Sequence, residues 1–344
     1  MRYKNKSTSI RVALRLFMGL TTSLFVLSLT NALNAENVTS HKGRFWKAKP
    51  VGCGDTLENG YFELTGHLDC SETDKTAIKI TGPAKLNLNG YTLSGNKDIV
   101  CIQIEGEGAS VWNGTVKNCK DGIQIKSDRN RIIKVNAYNN EKRGFKIDNG
   151  HENLLLDCLA EGEPEEPQKI GFLIEKGTDN KMVKCKAKNN VEKGFSIEKN
   201  GEHNRLFWCV AENNGEQGFK IEEGDGNKIY YSKAIANCRD GIEIDAGSDN
   251  LIIHNLVEDN GNKDTCIAFE EDHKPQFYAG IDITAGTEEH PSEYNEIKYN
   301  HACGNIGCNG EDCNPRERNY WDEKCEPTNE WENNTVCPEC TPGP

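Results

Sequence analysis

Hydrophobic and polar positions alternate in short runs along most of the chain, and the runs recur at a nearly constant interval. Each run carries an apolar-x-isoleucine triplet after a small residue. The runs are AIKI at 77, CIQI at 101, GIQI at 122, GFKI at 144, GFLI at 171, GFSI at 194, GFKI at 218, GIEI at 241 and GIDI at 280. Alternation with a period of two predicts strands, and a fixed interval of this size predicts a solenoid.

Asn, Gly and Asp interrupt the alternating runs, and no segment keeps a period of 3.6 residues. We therefore predict an all-β fold, a right-handed parallel β-helix solenoid of about nine coils with disulfide-stapled ends. Residues at the same position of the repeat, which we call a slot, then form a column along the stacked coils. Phe145, Phe172, Phe195 and Phe219 form one inward column. Two asparagine columns are predicted to form hydrogen-bonded ladders at turns, one including Asn118 and Asn140, the other Asn180 and Asn204.

The repeats resemble those of the pectate-lyase-like superfamily. They most resemble its short-coil group, which includes the periplasmic, copper-linked maturation proteins of nitrous-oxide reductase. The opening CGDTLENGYFELTGHLDC, followed by AKLNLNGYTLSG, is similar to the first coils of many exported β-helix proteins. The resemblance covers roughly residues 51–305. It implies the fold and leaves the function open, because one fold hosts many functions.

The chain ends suggest export and capping. A basic segment, an apolar run and Ala35 predict a signal peptide over residues 1–35. The apolar run is too short for a stable membrane span, and none is expected in the mature chain. A linker over 36–50, the β-helix over 51–305 and a Cys-rich C-terminal cap over 306–344 follow. The protein is predicted to be secreted or periplasmic. A net charge of −13 without a basic stripe argues against nucleic acid as a partner.

All fifteen cysteines lie beyond the predicted signal peptide, which favours disulfides in an exported protein. Cys53 and Cys70 are predicted to pair. Six more are predicted to staple the C-terminal cap, in preference to forming a zinc site: Cys303, Cys308, Cys313, Cys325, Cys337 and Cys340. Cys158, Cys185 and Cys209 share one slot. They form either a buried thiol stack, or a column with one oxidised pair, or, as the copper-linked relatives suggest, a soft-metal site.

The residues that alternate with the inward columns point outward, and five consecutive acids lie on one outward line. They are Asp148, Glu175, Glu198, Glu222 and Asp245. Repulsion between stacked carboxylates is expected to raise some pKa values or to recruit cations. Calcium suits such clusters, and Glu198, Glu222 and Asp245 are its predicted ligands. The alternative is a solvated face whose charges prevent edge pairing.

The last full coil carries an insertion, NKDTCIAFEEDHKPQFYA, which ends beside Asp282 in the next strand. Loops on a rigid scaffold often carry binding or catalysis. His273, Asp282, Glu243 and Lys220 are the predicted catalytic residues, since such groups serve proton abstraction from a uronic acid. The predicted substrate-binding residues are Glu222, Asp245, Lys274 and Tyr278.

Sequence motifs do not decide between binding and catalysis. The chain lacks the paired aspartates and Gly-His-Gly of polygalacturonase-like enzymes and the Asp-Pro-His-Asp signature of mannuronan epimerases. We therefore predict a monomeric protein that binds an acidic or neutral extracellular or cell-wall polysaccharide along the outward strand face, with Ca2+. Two alternatives stay open: a lyase or epimerase acting on a polyuronate, and a structural or metal-handling periplasmic protein.

Overall fold

The computed structural model describes residues 47–163, 165–261, 279–286, 291–307, 316–317, 320–322 and 329–336. The regular secondary structure within these ranges consists of strands. These ranges contain no helix long and apolar enough to cross a membrane. The predicted signal peptide and most of the predicted linker precede them, so the predicted domain boundaries there stay predictions.

The strands of each coil lie on three faces, and the front face is a parallel sheet of eleven strands stacked in chain order. Its strands are Asp55–Leu57, Ile78–Ile80, Val100–Ile104, Asp121–Ile125, Arg143–Asp148, Ile170–Glu175, Phe195–Glu198, Phe219–Glu222, Ile242–Asp245, Ile281–Ile283 and Tyr320–Asp322. This is the predicted right-handed parallel β-helix of about nine turns, and the prediction is confirmed.

The second and third faces form one sheet, because Ser110–Lys117 and Arg131–Tyr138 run across the bend between them. The other strands of the second face are Lys49–Pro50, Tyr61–Glu63, Lys85–Asn87, Leu154–Leu156, Lys181–Val183, Arg205–Phe207, Lys228–Tyr230, Leu251–Ile253, Glu296–Lys298 and Glu330–Glu332. Those of the third face are Leu68–Asp69, Thr92–Ser94, Leu159–Glu161, Lys186–Lys188, Val210–Glu212, Lys233–Ile235, Leu256–Glu258, His301–Cys303 and Thr335–Val336. Ile306–Gly307 and Arg316–Glu317 form a short antiparallel pair.

The core contains the columns that the repeat predicts. The rings of Phe145, Phe172, Phe195 and Phe219 stack in register, with centroids 4.8, 4.8 and 4.9 Å apart. All four rings are at most 1% exposed. The spacing equals the distance between hydrogen-bonded strands, so the backbone ladder sets the ring stack. Every outward residue of the front face therefore has a position fixed by its strand register.

Asparagine ladders connect neighbouring coils at the turns. Asn204 is typical: its side-chain oxygen accepts hydrogen bonds from the backbone and side-chain nitrogens of Asn180, both at 3.0 Å. Its amide donates to the Gly177 carbonyl and to Asn227. These bonds satisfy buried backbone groups that the turns leave without strand partners. The two predicted ladders are therefore structural.

One predicted ladder member is wrong. Asn118 has a left-handed φ of 57°, and the ladder slot in that coil belongs to Cys119, whose backbone nitrogen donates to Asn140. Gln168 fills the slot two coils further along, where its longer side chain bridges Asn140 and Asn190. A residue of another type thus replaces asparagine without breaking the ladder.

The cysteines fall into bonded and free groups. The predicted Cys53–Cys70 disulfide is present, and a second, Cys101–Cys119, was not predicted from the sequence. Cys303 of the predicted cap is disulfide-bonded. The other five cap cysteines, Cys308, Cys313, Cys325, Cys337 and Cys340, lie outside the described residues.

The Cys158, Cys185 and Cys209 column consists of buried free thiols. Burial raises the pKa of Cys158 and Cys185 well above the usual thiol range. Buried free thiols pack as small apolar side chains, which agrees with the predicted thiol stack. Soft-metal binding by this column stays a prediction.

Candidate functional site

The outward acids of the front face share the line that the sequence predicts. Strand register pairs Asp148 with Glu175, Glu175 with Glu198, and Glu222 with Asp245. Lysine side chains from the same face lie among these carboxylates. The line is therefore a row of ion pairs and not a row of bare acids.

Two lysines show how the pairing spans coils. Lys146 Nζ lies 2.7 Å from a carboxylate oxygen of Glu175, in the next coil. Lys193 Nζ lies 3.1 Å from Glu198 and 3.5 Å from Glu222, which belongs to the following coil. These ammonium groups relieve the repulsion between stacked carboxylates that would otherwise oppose the register.

The pKa values follow this pairing. Hydrogen bonds from Lys146 and Lys199 lower the pKa of Glu175 to about 2. Burial alone would raise the pKa of Glu198, but the charge of Lys193 and a hydrogen bond from Ser196 lower it overall. At these two positions the pKa values are not raised, and lysines supply the cations that the stacked carboxylates were expected to recruit.

Three carboxyl groups near the end of the front face differ from the rest of the line. Asp240, Glu243 and Asp282 are 3, 7 and 7% exposed. Glu243 and Asp282 are register partners in neighbouring strands, and both alternate with inward isoleucines. We call Asp240, Glu243 and Asp282 the carboxyl cluster. It lies on the outward side of a sheet and yet is withdrawn from solvent.

Lys220 and Gln217 connect the carboxyl cluster to the line of acids. Lys220 Nζ lies 3.4 Å from Glu243, 3.1 Å from Asp245 and 3.6 Å from Glu222. The Gln217 amide donates a hydrogen bond to the other oxygen of Glu243. One ammonium thus faces three carboxylates contributed by two coils.

Burial controls the protonation of this group. Burial, with the charges of Glu243 and Asp282, raises the pKa of Asp240 well above its usual range. Burial also raises the pKa of Glu243, although Lys220 partly opposes the effect. Burial alone would lower the pKa of Lys220, but the surrounding carboxylates raise it. Asp240 and Glu243 therefore hold their protons more tightly than an exposed acid does, next to an ammonium that stays charged.

Such an arrangement can exchange protons. A carboxyl group with a raised pKa acts as a donor or acceptor near neutral pH, where an ordinary carboxylate is too weak a base. A nearby ammonium can bind an anionic group or stabilise a developing negative charge. Perturbed carboxyls of this kind mark functional sites more often than ordinary surface acids do.

The structure brings together five of the predicted site residues: Lys220, Glu222, Glu243, Asp245 and Asp282. Glu198 lies one coil away and reaches the group through Lys193, which contacts both Glu198 and Glu222. The predicted loop residues His273, Lys274 and Tyr278 lie outside the described residues.

Asp240 and Gln217 also belong to this group and were not predicted from the sequence. Both occupy the slot just before the repeated glycine, where other coils carry Arg143, Ile170 or Lys193. This slot lies at the edge of the front face and adds a third outward column beside the two that alternation predicts. A systematic reading of every slot in the repeat would have found an acid and an amide there.

Metal ligation has limited support in this geometry. Among the described residues, one group of three potential ligands, Glu258, His301 and Cys303, has its ligand atoms within 4.8 Å of one another. Cys303 is disulfide-bonded, so its sulfur is not a thiolate. The predicted calcium ligands Glu198, Glu222 and Asp245 do not form such a group, and lysines lie between them. Calcium binding there stays a prediction.

The chain belongs to a recognised family of repeat proteins. The family model described as right handed beta helix region matches residues 76–221 and 208–317. Among curated proteins, none matches the sequence. The family membership defines the class of protein, a parallel β-helix protein, and agrees with the front, second and third faces described above.

Solved structures of low sequence identity share this fold. A double mutant of the periplasmic alginate epimerase AlgG superposes with a TM-score of 0.58 at 13% identity, over 81% of this chain and 76% of that one. The Dettilon tailspike protein gp208 superposes with a TM-score of 0.61 at 14% identity, over 79% of this chain and 60% of that one. At these identities the likeness concerns the fold.

Proposed function

We propose that this protein is exported and binds a polysaccharide along the front face, with Lys220 contacting the sugar chain beside the carboxyl cluster. The observation that carries the proposal is the buried, outward-facing group of Asp240, Glu243 and Asp282, with the Lys220 ammonium 3.4 Å from Glu243. Polar side chains fixed in register on a flat sheet suit a long ligand with a repeated unit, because each coil offers one contact.

Two further observations support the proposal. The AlgG structure that shares the fold is named an alginate epimerase, and alginate is a polysaccharide. The Cys53–Cys70 and Cys101–Cys119 disulfides favour a location outside the reducing cytosol, where such polymers are met. Glu222 and Asp245 are the proposed additional sugar contacts beside Lys220.

Affinity electrophoresis in gels containing single polysaccharides tests the binding function. We expect retardation of the wild type and a loss of about tenfold or more in affinity for Lys220→Gln, which removes a buried cation. Lys298→Gln is the matched control. Lys298 also pairs with three carboxylates and has a 16% exposed side chain, against 12% for Lys220, but it lies on the second face.

Equal retardation of the Lys220→Gln and Lys298→Gln variants would remove the front face from the binding site. If no acidic or neutral polysaccharide retards the wild type, the proposed binding function is wrong. Adding calcium or a chelator to the same gels tests the proposed Ca2+ ligands, Glu198, Glu222 and Asp245.

A second candidate, a lyase or epimerase acting on a polyuronate, is favoured by the raised pKa values of Asp240 and Glu243. Either reaction begins with removal of the proton next to the uronate carboxylate, and Glu243, Asp282 and Lys220 are the proposed participants. A lyase creates an ultraviolet-absorbing double bond. An epimerase instead exchanges the sugar proton with deuterated solvent.

Asp240→Asn separates this candidate from simple binding, because the substitution keeps the shape of the side chain. If the cluster is catalytic, the variant binds polyuronate as the wild type does but loses turnover and the wild-type pH profile. Asp157→Asn, at a bend away from the front face, is the control. No double-bond formation and no deuterium exchange in the wild type would exclude both reactions on the polymers tried.

A further inference from the structure

A groove opens at the edge of the front face near the other end of the solenoid. Its volume is about 350 Å³. Residues from the second to the fifth front strands and the turns before them line it, among them Lys120, Asp121, Gln124, Lys142 and Arg143. Gln124 belongs to the same outward column as Lys146, Lys220 and Glu243. The groove is therefore continuous with the face that carries the carboxyl cluster.

The groove is lined by four basic side chains and by three acidic ones, Asp74, Asp98 and Asp121, so its net charge is about one positive. Lys120, Lys142 and Arg143 are half-buried in its wall, and Lys75 adds an exposed ammonium. Asp121 is 3% exposed and lies 3.3 Å from Arg143 Nη1, so it fixes the guanidinium and neutralises one charge. A guanidinium has five N–H donors in a planar fork, and this pair uses one nitrogen. Among the described residues no second carboxylate lies within 4.0 Å of the guanidinium, so its other donors can bind a ligand.

Lys120 and Lys142 differ from the lysines further along the face. Lys146, Lys193 and Lys220 each pair with carboxylates. Within the ranges that the structure describes, neither Lys120 nor Lys142 has a carboxylate oxygen within 4.0 Å of its ammonium nitrogen. Half-buried ammonium groups that lack an internal counter-charge favour an external anion, since burial increases the strength of the interaction.

We propose that this groove binds an anionic sugar unit, and that Lys120, Lys142 and Arg143 hold its carboxylate or sulfate group. This inference rests on the proposed function, and it specifies an acidic polysaccharide. From Gln124 to Glu243 the outward column advances by five strands. At about 4.8 Å per strand the distance is about 24 Å. A bound chain therefore spans several sugar units between groove and cluster.

The test measures the affinity of the full chain for polygalacturonate, for sulfated dextran and for neutral dextran. We expect the Lys120→Gln/Lys142→Gln variant to bind the preferred anionic polymer at least about tenfold more weakly than the wild type. The control, Lys186→Gln/Lys228→Gln, removes two half-buried lysines of the third and second faces that also lack a carboxylate within 4.0 Å among the described residues. It keeps wild-type affinity and has the same net charge.

The outcomes separate this inference from the proposed function. If the groove variant and the control both bind with wild-type affinity, the groove is not a binding site. The proposed polysaccharide function would then remain intact. Equal binding to neutral dextran would also overturn the groove, because no anion would be needed. No binding of the wild type to any of the three polymers would overturn both. The carboxylate and sulfate polymers distinguish the two anionic groups.

Discussion

At the scale of single residues, the ladders show how a buried amide maintains the stacking of coils. The Asn204 side chain makes four hydrogen bonds, to Gly177 and Asn180 in the preceding coil and to Asn227 in the following coil, and it is fully buried. Removing such a side chain leaves both a backbone N–H and a carbonyl unsatisfied. The penalty is therefore larger than the net contribution of a typical hydrogen bond.

We expect Asn204→Ala to lower the free energy of unfolding by about 2–4 kcal/mol, because buried partners lose their bonds. Urea unfolding followed by circular dichroism measures the loss. The control is Asn136→Ala, in the long strand Arg131–Tyr138, where the side chain is half-exposed and in no ladder. Equal stabilities for the two variants would contradict a structural role for the ladder.

Glu175 gives a prediction about pH. Its pKa is lowered from 4.5 to about 2 by Lys146 and Lys199, so the folded state binds its proton less tightly than the unfolded state does. The stability that Glu175 contributes is complete above the unfolded pKa and disappears as pH falls through the folded pKa.

We expect Glu175→Gln to be less stable than the wild type at neutral pH, and the difference to shrink as pH falls from about 5 to about 2. Urea midpoints measured across this range test the prediction. Glu152→Gln, at an exposed position, is the control and should show little difference at any pH. A constant difference for Glu175→Gln would rule out the lowered pKa as its cause.

At the scale of strands and turns, most of the fold follows from the sequence, and the candidate site follows in part. The alternation and the interval between GFKI-type runs predict the front strands and the Phe145–Phe219 column, because inward slots must be apolar. The acid line also follows from alternation. The position of Asp240 does not follow from alternation, because this residue precedes the strand Ile242–Asp245. Its raised pKa depends on burial, which the alternation pattern does not predict.

The cysteines show the same limit. The sequence predicts Cys53–Cys70 because the pair brackets the first strands, whereas Cys101 and Cys119 belong to a front strand and to a ladder slot. Their proximity results from stacking one coil on the next. This proximity requires that Asp121 pairs with Val100, and Val116 with Leu93, in neighbouring strands. Such pairings exist only once the coils are stacked.

The two disulfides are expected to differ in their contributions to stability. They close loops of similar length, with separations of 17 and 18 residues, so each constrains the unfolded chain by about 3 kcal/mol. Cys101 and Cys119 are both fully buried, whereas Cys53 is exposed. Replacing the buried pair by alanine also removes packing in the core.

We therefore expect Cys101→Ala/Cys119→Ala to lose more unfolding free energy than Cys53→Ala/Cys70→Ala. Thermal and urea unfolding of the two double variants, compared with the wild type under oxidising conditions, measure the difference. Equal losses would mean that loop closure alone accounts for the stabilisation.

At the scale of the whole molecule, the front face has two unlike ends. A groove lies near its start, where Lys120 and Lys142 have no carboxylate within 4.0 Å in the part of the chain that the structure describes. Asp240 and Glu243, with raised pKa values, lie near its end. The ion-paired row of lysines and acids connects them. If one polysaccharide chain contacts both ends, each contact raises the effective concentration for the other.

We expect the affinity for acidic oligosaccharides to rise with their length until the chain reaches from the groove to the carboxyl cluster, and then to level off. Titration calorimetry with a series of oligogalacturonates tests this. The Lys120→Gln/Lys142→Gln variant should lose most of the length dependence. A wild-type affinity that is independent of length would show that the two ends act separately.

The asparagine ladders have a consequence for the distance between these ends. Because each coil bonds to its neighbours through the same amide contacts, a duplicated coil would meet the same partners above and below as the original. Inserting a second copy of residues 194–217 would lengthen the front face by one strand spacing, about 4.8 Å. The distance between the groove and the carboxyl cluster therefore changes in steps of one coil. The shortest oligosaccharide that contacts both ends should lengthen by the same step.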